Sequence, residues 1–574
     1  MWRTIVVPNA PPVVQSFDFF ISTTGSDSNP GTLVSPWAIT SINTKQATYT
    51  GKRVGVLAGV YNVNSLMGSG NAGSLNLVAL AVNGGTVSNQ TYIGSSNASG
   101  VYTPRVSVLD AHPIQNPISG ITNAASAVVT INSAAASNPY TGLTRVAIYG
   151  VVGMPQIQSP DTGTGSIWMW TITATGGVQN AWTITLNANS TSWGTYVSGG
   201  TASANFPSGE CGIIGQGLAN GGGSLQANPG YTTLDGLVIT GSYEMGIGFR
   251  PDTASGQGGD SFGIIIQNCE ICDIAGYEND NTSGVLLWNV TGATVHGNKI
   301  HHIISTSGNV SQQDNAAIFS FNCKSNVYEY NTIFASSVGI YDKNATNGNH
   351  TYRYNYIEQT TDTSRVAFGP YALYCINDSA GGSSTDVMNV HHNVFIAPDT
   401  WQGSNSFNDP SLAGLTFYNN TCYWTGAFNS GGLWYPANGS GTAVINSYNN
   451  IFDCAGAPNY QGFVYYTTGS ISLSDYNAYS GSGASFCIGA ISGGFTPTNT
   501  YTFANWQSTI GVDAHSVIGS PTFNSTSSLN TSGFKLTNGT TGQGTGSSNG
   551  TSGGTACDMG AWGNSPPSTI GCNF

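Results

Sequence analysis

The residues of this chain that are able to do acid–base chemistry are few, and their positions sort them into two groups. The first is Asp342 and Lys343, with Arg250 and Asp252 on an earlier turn of the chain and Asn377 and Asp378 on a later one. If successive turns stack, carboxylates on neighbouring turns stand roughly 5 Å apart and those two turns apart roughly 10 Å, which brackets the separations of retaining and inverting glycoside hydrolysis. β-Elimination from a uronate is the second chemistry open to this group, with Lys343 taking the proton alpha to the sugar carboxylate. A free lysine keeps its proton at neutral pH, so Lys343 needs burial or a neighbouring cation such as Arg353, and Asp342 beside it acts the other way. Glu358, Asp362 and Arg365 follow in the next turn. The second group is His296, Glu329, Arg353, His391, Tyr418 and Tyr448, each two residues before a recurring Asn. Stacking brings Glu329 and Arg353 within ion-pair reach, flanked by His296 and His391, and the plainer reading of this group is a cross-strand salt bridge on a solvated face. No metal-ligand spacing, phosphate-binding glycine loop or nucleophile elbow stands out, so neither a metal nor a cofactor is expected.

The elements that must position these residues follow from a degenerate repeat, an apolar run leading to Asn with a hydrophobic residue two places on. It falls at Asn298, Asn331, Asn355, Asn393, Asn420, Asn450 and Asn477, at spacings of 33, 24, 38, 27, 30 and 27 residues. Periods in this range mark a solenoid, whose units bury their apolar faces only by stacking, and period-two alternation around each Asn makes the stacked elements strands. The Asn itself is expected to turn the chain between sheets and to form a ladder, since its amide bonds nearby backbone and tolerates left-handed dihedrals. A second strand register places Ile247, Leu286, Ile318, Ile340, Leu373 and Leu433 inward. The residues that follow them, Gly248, Leu287, Phe319, Tyr341, Tyr374 and Trp434, then form an outward stripe. The aromatic members of that stripe, Phe319, Tyr341, Tyr374 and Trp434, together with His391, are the candidate sugar-binding residues; the competing reading is rings stacked under covering loops or against another subunit.

Composition agrees with a solenoid. Only 7% of the 574 residues are charged, against roughly 25% in ordinary soluble proteins, while Gly reaches 77 residues. The 11% aromatic content supplies apolar surface that disordered chains lack. A net charge of −13 without basic blocks argues against nucleic acid as a partner. No run approaches the ~20 apolar residues of a membrane span, so no membrane insertion is expected. Met1 to Gln15, with Arg3, Asn9, Pro8, Pro11 and Pro12, does not read as a signal-peptide core, and the mature chain is expected to start at Met1. The ten cysteines then read first as reduced, buried small hydrophobes, with Cys557 and Cys572 as the exception.

Phe20-Ile21-Ser22 leads into Gly25-Ser26-Asp27-Ser28-Asn29-Pro30-Gly31-Thr32 and Pro36-Trp37, followed by Arg53-Val54-Gly55-Val56-Leu57-Ala58-Gly59-Val60-Tyr61. This resembles the opening of pectate-lyase-like β-helix proteins, and Asp558-Met559-Gly560-Ala561-Trp562-Gly563 is similar to the closing motif of many such chains. Between Val108-Leu109-Asp110 and Leu234-Asp235-Gly236 the periodicity breaks. There Val146-Ala147-Ile148-Tyr149-Gly150, Trp182-Thr183-Ile184-Thr185-Leu186 and Trp193-Gly194-Thr195-Tyr196-Val197 resemble a small β-module of phage tail and fibre proteins.

The expected fold is therefore all-β, a right-handed parallel β-helix with an inserted small β-domain and a C-terminal β cap. The expected divisions are an attachment segment at 1–16, an N-terminal cap and first coils at 17–112, the inserted module at 113–206, the main β-helix at 207–500 and the C-terminal coils and cap at 501–574. The resemblance implies a phage tailspike-like virion protein, assembled in the host cytoplasm, that binds and depolymerises bacterial surface polysaccharide as a homotrimer and joins other tail proteins through its N-terminus. Asp342, Lys343, Glu329, Arg353 and Asp378 would be its catalytic candidates. The alternatives are a non-catalytic receptor-binding spike and a secreted polysaccharide lyase. Fold carries over from such a resemblance far better than activity does.

Overall fold

The computed structural model describes residues 16–537 except 67–77, 113, 144, 158–169, 205–210, 217–229, 243, 250–260, 277–281, 306–315, 337, 344–348, 360–370, 377–385, 398–404, 409–411, 425–432, 436–443, 454–463, 467–469, 481–485, 489–498 and 528–533. Three of its sheets have twelve strands each, and each coil contributes one strand to each of them in turn. One coil, for example, runs through Thr294–His296 in the first sheet, Lys299–Ser305 in the third and Ala316–Phe321 in the second. Neighbouring coils pair in parallel, as in Thr294↔Val327 and Ile300↔Ile333, and among the described residues the one antiparallel pairing in these three sheets joins Phe486–Ile488 to Asn499–Tyr501. This is a parallel β-helix. Its axial core is a file of inward residues such as Ile266, Val295, Tyr328, Tyr352 and Val390, at most 1% exposed, which the strand alternation places on one face.

The recurring Asn residues stand at the corner between the first and third sheets and are all fully buried. Each donates from Nδ2 to the Oδ1 of the next: Asn298 to Asn331, Asn331 to Asn355, Asn355 to Asn393 and Asn393 to Asn420 at 3.0 Å, Asn420 to Asn450 at 3.2 Å and Asn450 to Asn477 at 3.0 Å. The same Oδ1 also accepts the backbone N–H of the preceding ladder residue. The ladder ends on Asp513 and Ser516, which receive the Asn477 side chain and backbone at 3.2 and 2.8 Å. The left-handed conformation at this corner belongs to the residue before each ladder Asn and not to the Asn itself. Gly297, Tyr330, Tyr354, His392, Asn419, Asn449 and Tyr476 have φ from 53° to 63°. The Asn amide is occupied in the ladder, so the neighbour makes the bend.

Across residues 114–204 the stack is interrupted in sequence but not in space, since Thr91–Ser96 pairs directly with Thr232–Asp235 and Ser107–Asp110 with Leu237–Thr240. The intervening strands Trp170–Val178, Ala181–Leu186, Val128–Ile131, Ile114–Ile121, Ser198–Ala204 and Arg145–Val152 close, in that order, into a barrel with its own core around Val129, Ile148, Met154 and Ile184. At the other end the helix Phe503–Ile510 buries Trp506 against the last coil, with its indole N–H on Asp513 at 2.8 Å. Phe523 and Phe534 pack on Tyr356, Val394, Ile396 and Tyr423 of the third sheet. Five described cysteines, at 269, 272, 323, 375 and 422, are buried and unbridged. Met1–Gln15, Cys557, Cys572 and the 558–563 motif lie outside the described residues.

Candidate functional site

The row two places before each ladder Asn forms on the outer face of the first sheet and extends two coils beyond the ladder through Gln267 and Asp235. Its members pair in register coil by coil: Asp235, Gln267, His296, Glu329, Arg353, His391, Tyr418, Tyr448 and Asp475. Their strand neighbours on one side, from Leu234 to Phe417, fill the core, so alternation turns this row outward. Glu329 accepts from Arg353 at 2.6 Å and bonds His296 Nδ1 at 3.0 Å. The Glu329 side chain is 13% exposed, while those of His296 and Arg353 are 37% and 38% exposed. Burial alone would raise the Glu329 carboxyl, but the His296 hydrogen bond and the Arg353 charge outweigh it and hold the group below its ordinary range. A carboxylate held this firmly by two partners is a weak base and stays ionised, with no proton to give at neutral pH, so it is better suited to fixing a polar ligand than to moving protons.

Beyond this triad the row becomes aromatic. His391 stacks on Tyr418 at 4.8 Å and Tyr418 on Tyr448 at 5.1 Å, with the rings nearly parallel in both cases. Tyr330 and Tyr354, on the adjacent left-handed corner, lie 4.8 Å apart. Burial, then His392 and Arg353, push the His391 imidazole well below its usual range, so it stays neutral at neutral pH. Its Nδ1 lies 2.9 Å from that of His392, so one ring donates and the other accepts. Burial likewise pushes the Tyr418 phenol up and keeps it a donor. Because the Tyr418 and Tyr448 faces are turned toward one another along the stack, the row offers a ligand hydroxyls and ring edges. The row closes on Asp475, which His515 meets at 2.7 Å while stacking on Tyr476. The corner residues Tyr330, Tyr354, His392 and Tyr476 and the partner His515 were not singled out from the sequence. The position just before each ladder Asn was the available signal.

The second-sheet stripe forms, but it is covered. Phe319, Tyr341 and Tyr374 pair in register with ring centroids 5.2 and 5.0 Å apart, and they are only 1%, 1% and 4% exposed. Leu286 belongs to this outward row, pairing Gly248 and Phe319, while Val285 and Leu287 turn into the core; the sequence register was one residue off there. Trp434 pairs Ser406 through the backbone, and its side chain lies outside the described residues.

Asp342 and Lys343 are divided by the same alternation. Asp342 sits two residues after the inward Ile340, so it points into the coil, 1% exposed, bonded by the Tyr352 hydroxyl with His350 Nε2 at 3.8 Å. Lys343 is half-buried on the outer side, in register with Phe321 and Ile376. The two do not share a rim, and neither joins the first-sheet row that unites Glu329, Arg353 and His391. Asp378, like Arg250, Asp252, Asn377, Asp362 and Arg365, lies outside the described residues. Glu358 accepts from the Tyr356 hydroxyl at 2.8 Å. Among the described residues no three His, Cys, Asp or Glu side chains are grouped to hold a metal ion.

No protein-family model and no curated protein matches the chain. Among solved structures it is similar to pectate lyase Pel9A, over 95% of each chain at 12% identity with a TM-score of 0.50. XylC in complex with xylose aligns over 81% of this chain and 84% of its own at 12% identity and a TM-score of 0.34. A glycoside hydrolase aligns over 78% and 96% at 10% identity and 0.33. The Pel9A likeness agrees with the topology: the fold is the pectate-lyase-like parallel β-helix.

Proposed function

We propose that this chain binds a polysaccharide along the outer row of its first sheet, from Asp235 through Glu329 and Arg353 to Tyr448. The observation that carries the reading is the row itself. In a chain with 7% charged residues it gathers ionic, imidazole and phenol groups in line with the coil axis, one per coil at a rise of ~4.8 Å, with His296, Arg353, Tyr418 and Tyr448 partly exposed. A linear glycan can lie parallel to that axis and meet a fresh hydroxyl or imidazole at each step. We further propose a surface spike of phage type, trimeric and directed at bacterial surface polysaccharide, supported by the likeness of the 113–206 segment to phage tail modules. The remaining divisions of the chain drawn from its sequence stand as part of this proposal.

Depolymerisation is the second reading, favoured by the likeness in fold to a pectate lyase. Lys343 as base, or Glu329 with a further acid, are its candidates. The test is to incubate the full chain with bacterial capsules, lipopolysaccharides and uronate polymers, following binding, reducing ends and the ultraviolet band of unsaturated uronates. Binding without new ends supports the spike, ends alone indicate hydrolysis, and ends with absorbance indicate elimination. An absence of binding across the panel overturns the proposal.

A further inference from the structure

The polar atoms left open along the first-sheet row follow from hydrogen-bond accounting at two of its carboxylates. Asp235, 5% exposed, accepts from Tyr92 Oη at 2.8 Å, Tyr102 Oη at 2.5 Å, Gln267 Nε2 at 2.7 Å and Asn268 Nδ2 at 2.9 Å. Burial and then the Asp235 charge push both phenols up and keep them donors. Four such bonds fill the lone-pair sites of one carboxylate. They also fix the Gln267 amide, whose Nε2 is turned to Asp235 and whose Oε1 has no partner among the described residues.

Glu329 fixes the next member of the row in the same way. The ionised carboxylate only accepts, so His296 donates to it from Nδ1 at 3.0 Å. The neutral imidazole then carries its lone pair on Nε2, which has no partner among the described residues. Gln267 and His296 pair in register on adjacent coils, so Oε1 and Nε2 are consecutive acceptors of the row. Beyond Glu329 the sense reverses. Arg353 gives Nε and Nη2 to Glu329 Oε2, both at 2.6 Å, and its remaining N–H groups are donors. The face is open where these atoms lie, since the His296 and Arg353 side chains are 37% and 38% exposed. Two residues earlier in each strand, the next outward position holds the short, half-buried Thr294, Val327 and Thr351, above which the longer row stands. On the other side the Tyr330 ring lies 5.3 Å from that of His296.

We propose, on the polysaccharide reading of this row, that His296 with Gln267 beside it is a specificity-determining acceptor for a free sugar hydroxyl, and that the row selects glycans bearing that hydroxyl over their O-acetylated forms. A hydroxyl donates to Nε2. An O-acetyl ester in its place offers only oxygens that accept, so the bond is lost and lone pairs face one another. Sites built to bond a hydroxyl reject an analogue lacking it more strongly than apolar pockets reject a change in size. Glu329 is a positioning residue, acting through His296 by setting which ring nitrogen accepts. A Gln at 329 can donate from its amide to His296 Nδ1, which moves the ring proton to Nε2 and turns the acceptor into a donor.

The experiment has a ligand-free arm and a binding arm, both on the full chain. Magic-angle-spinning NMR of protein labelled with 13C,15N-histidine, at about pH 8 and so above the ordinary imidazole range, reads the tautomer, with His296 assigned by its loss in His296→Gln. Wild type is expected to show His296 protonated on Nδ1 alone; a proton on Nε2 would overturn the proposal. In the binding arm, the tightest-binding glycan of the panel, freed of O-acetyl groups by mild alkali, is compared with its form partly re-acetylated by acetic anhydride. Acetylation is expected to weaken binding by about tenfold in wild type and by about twofold or less in Glu329→Gln. Equal effects in the two proteins, or tighter binding of the acetylated form by wild type, would overturn the proposal and leave the polysaccharide reading standing. Binding of no glycan at all would overturn both. If hydrogen exchange shows that Glu329→Gln loses the coil stack, the wild-type tautomer decides.

Discussion

Replacing Asn355 by Ala removes one rung from the middle of the ladder, and its cost can be worked from the bonds lost. The Asn355 side chain donates to Asn393 Oδ1 at 3.0 Å and to the Tyr328 carbonyl at 2.9 Å, and its Oδ1 accepts the backbone and side-chain N–H groups of Asn331, both at 3.0 Å. Some partners keep a substitute: Asn331 Nδ2 still reaches the Val295 carbonyl at 2.8 Å, and Asn393 Oδ1 still accepts the Asn355 backbone at 2.9 Å. The Asn331 backbone N–H loses this acceptor in a fully buried position. An orphaned buried donor costs about 1–3 kcal/mol and each net hydrogen bond about 1 kcal/mol, so the expected loss is about 3–5 kcal/mol. A solenoid does not unfold as one unit, so the loss should appear locally. Hydrogen exchange resolved by residue should show faster opening at 331–332 and 393–394, with the barrel at 114–204 unchanged. A local change below about 1 kcal/mol would refute the view that the ladder carries the corner.

Two pH effects follow from buried groups. Burial raises the Asp453 carboxyl to about 6 despite its bond from Ser480. Its folded value therefore lies above its unfolded one, and its contribution is fully present below pH ~4 and lost as pH rises through 6. Asp453→Asn should add up to about 3 kcal/mol of stability at neutral pH and flatten the melting temperature between pH 4 and 7; a variant that melts no higher at pH 7 would count against this. His112 is enclosed between Asp110 and Asp273, with Ser203 of the barrel bonding Asp110 at 2.8 Å. Burial would lower this imidazole, but Asp110 and then Asp273 raise it to about 10. The bridge is thus fully present below pH ~6.5 and lost as pH rises through 10. Exchange at 110–112 and 203 should accelerate between pH 9 and 11 once intrinsic rates are divided out, and His112→Gln should abolish that step.

The fold was legible because the Asn repeat has a physical cause, the ladder, that anchors the register at each coil. Counting from that anchor placed His296, Glu329, Arg353, His391, Tyr418 and Tyr448 in one outward row and paired Glu329 with Arg353. The second sheet has no such anchor, and there the register slipped by one residue at Leu286. Asp342 was set beside Lys343 although Ile340 had been placed inward, and alternation alone sends a residue two places later to the same side. The covering of Phe319, Tyr341 and Tyr374 had no local signal. Whether an outward row meets water depends on contacts with segments distant in sequence, and local periodicity does not encode these.

The first-sheet row is the proposed glycan-binding face. The most direct measurement is titration of wild type, Arg353→Gln, Tyr418→Phe and Asp342→Asn with the tightest-binding glycan of the panel, each variant first shown by exchange to keep the coil stack. Arg353→Gln and Tyr418→Phe are each expected to weaken binding by about tenfold, while Asp342→Asn stays within about twofold of wild type. Loss of binding in Asp342→Asn with the first-sheet variants unaffected would contradict this and move the site elsewhere on the coil.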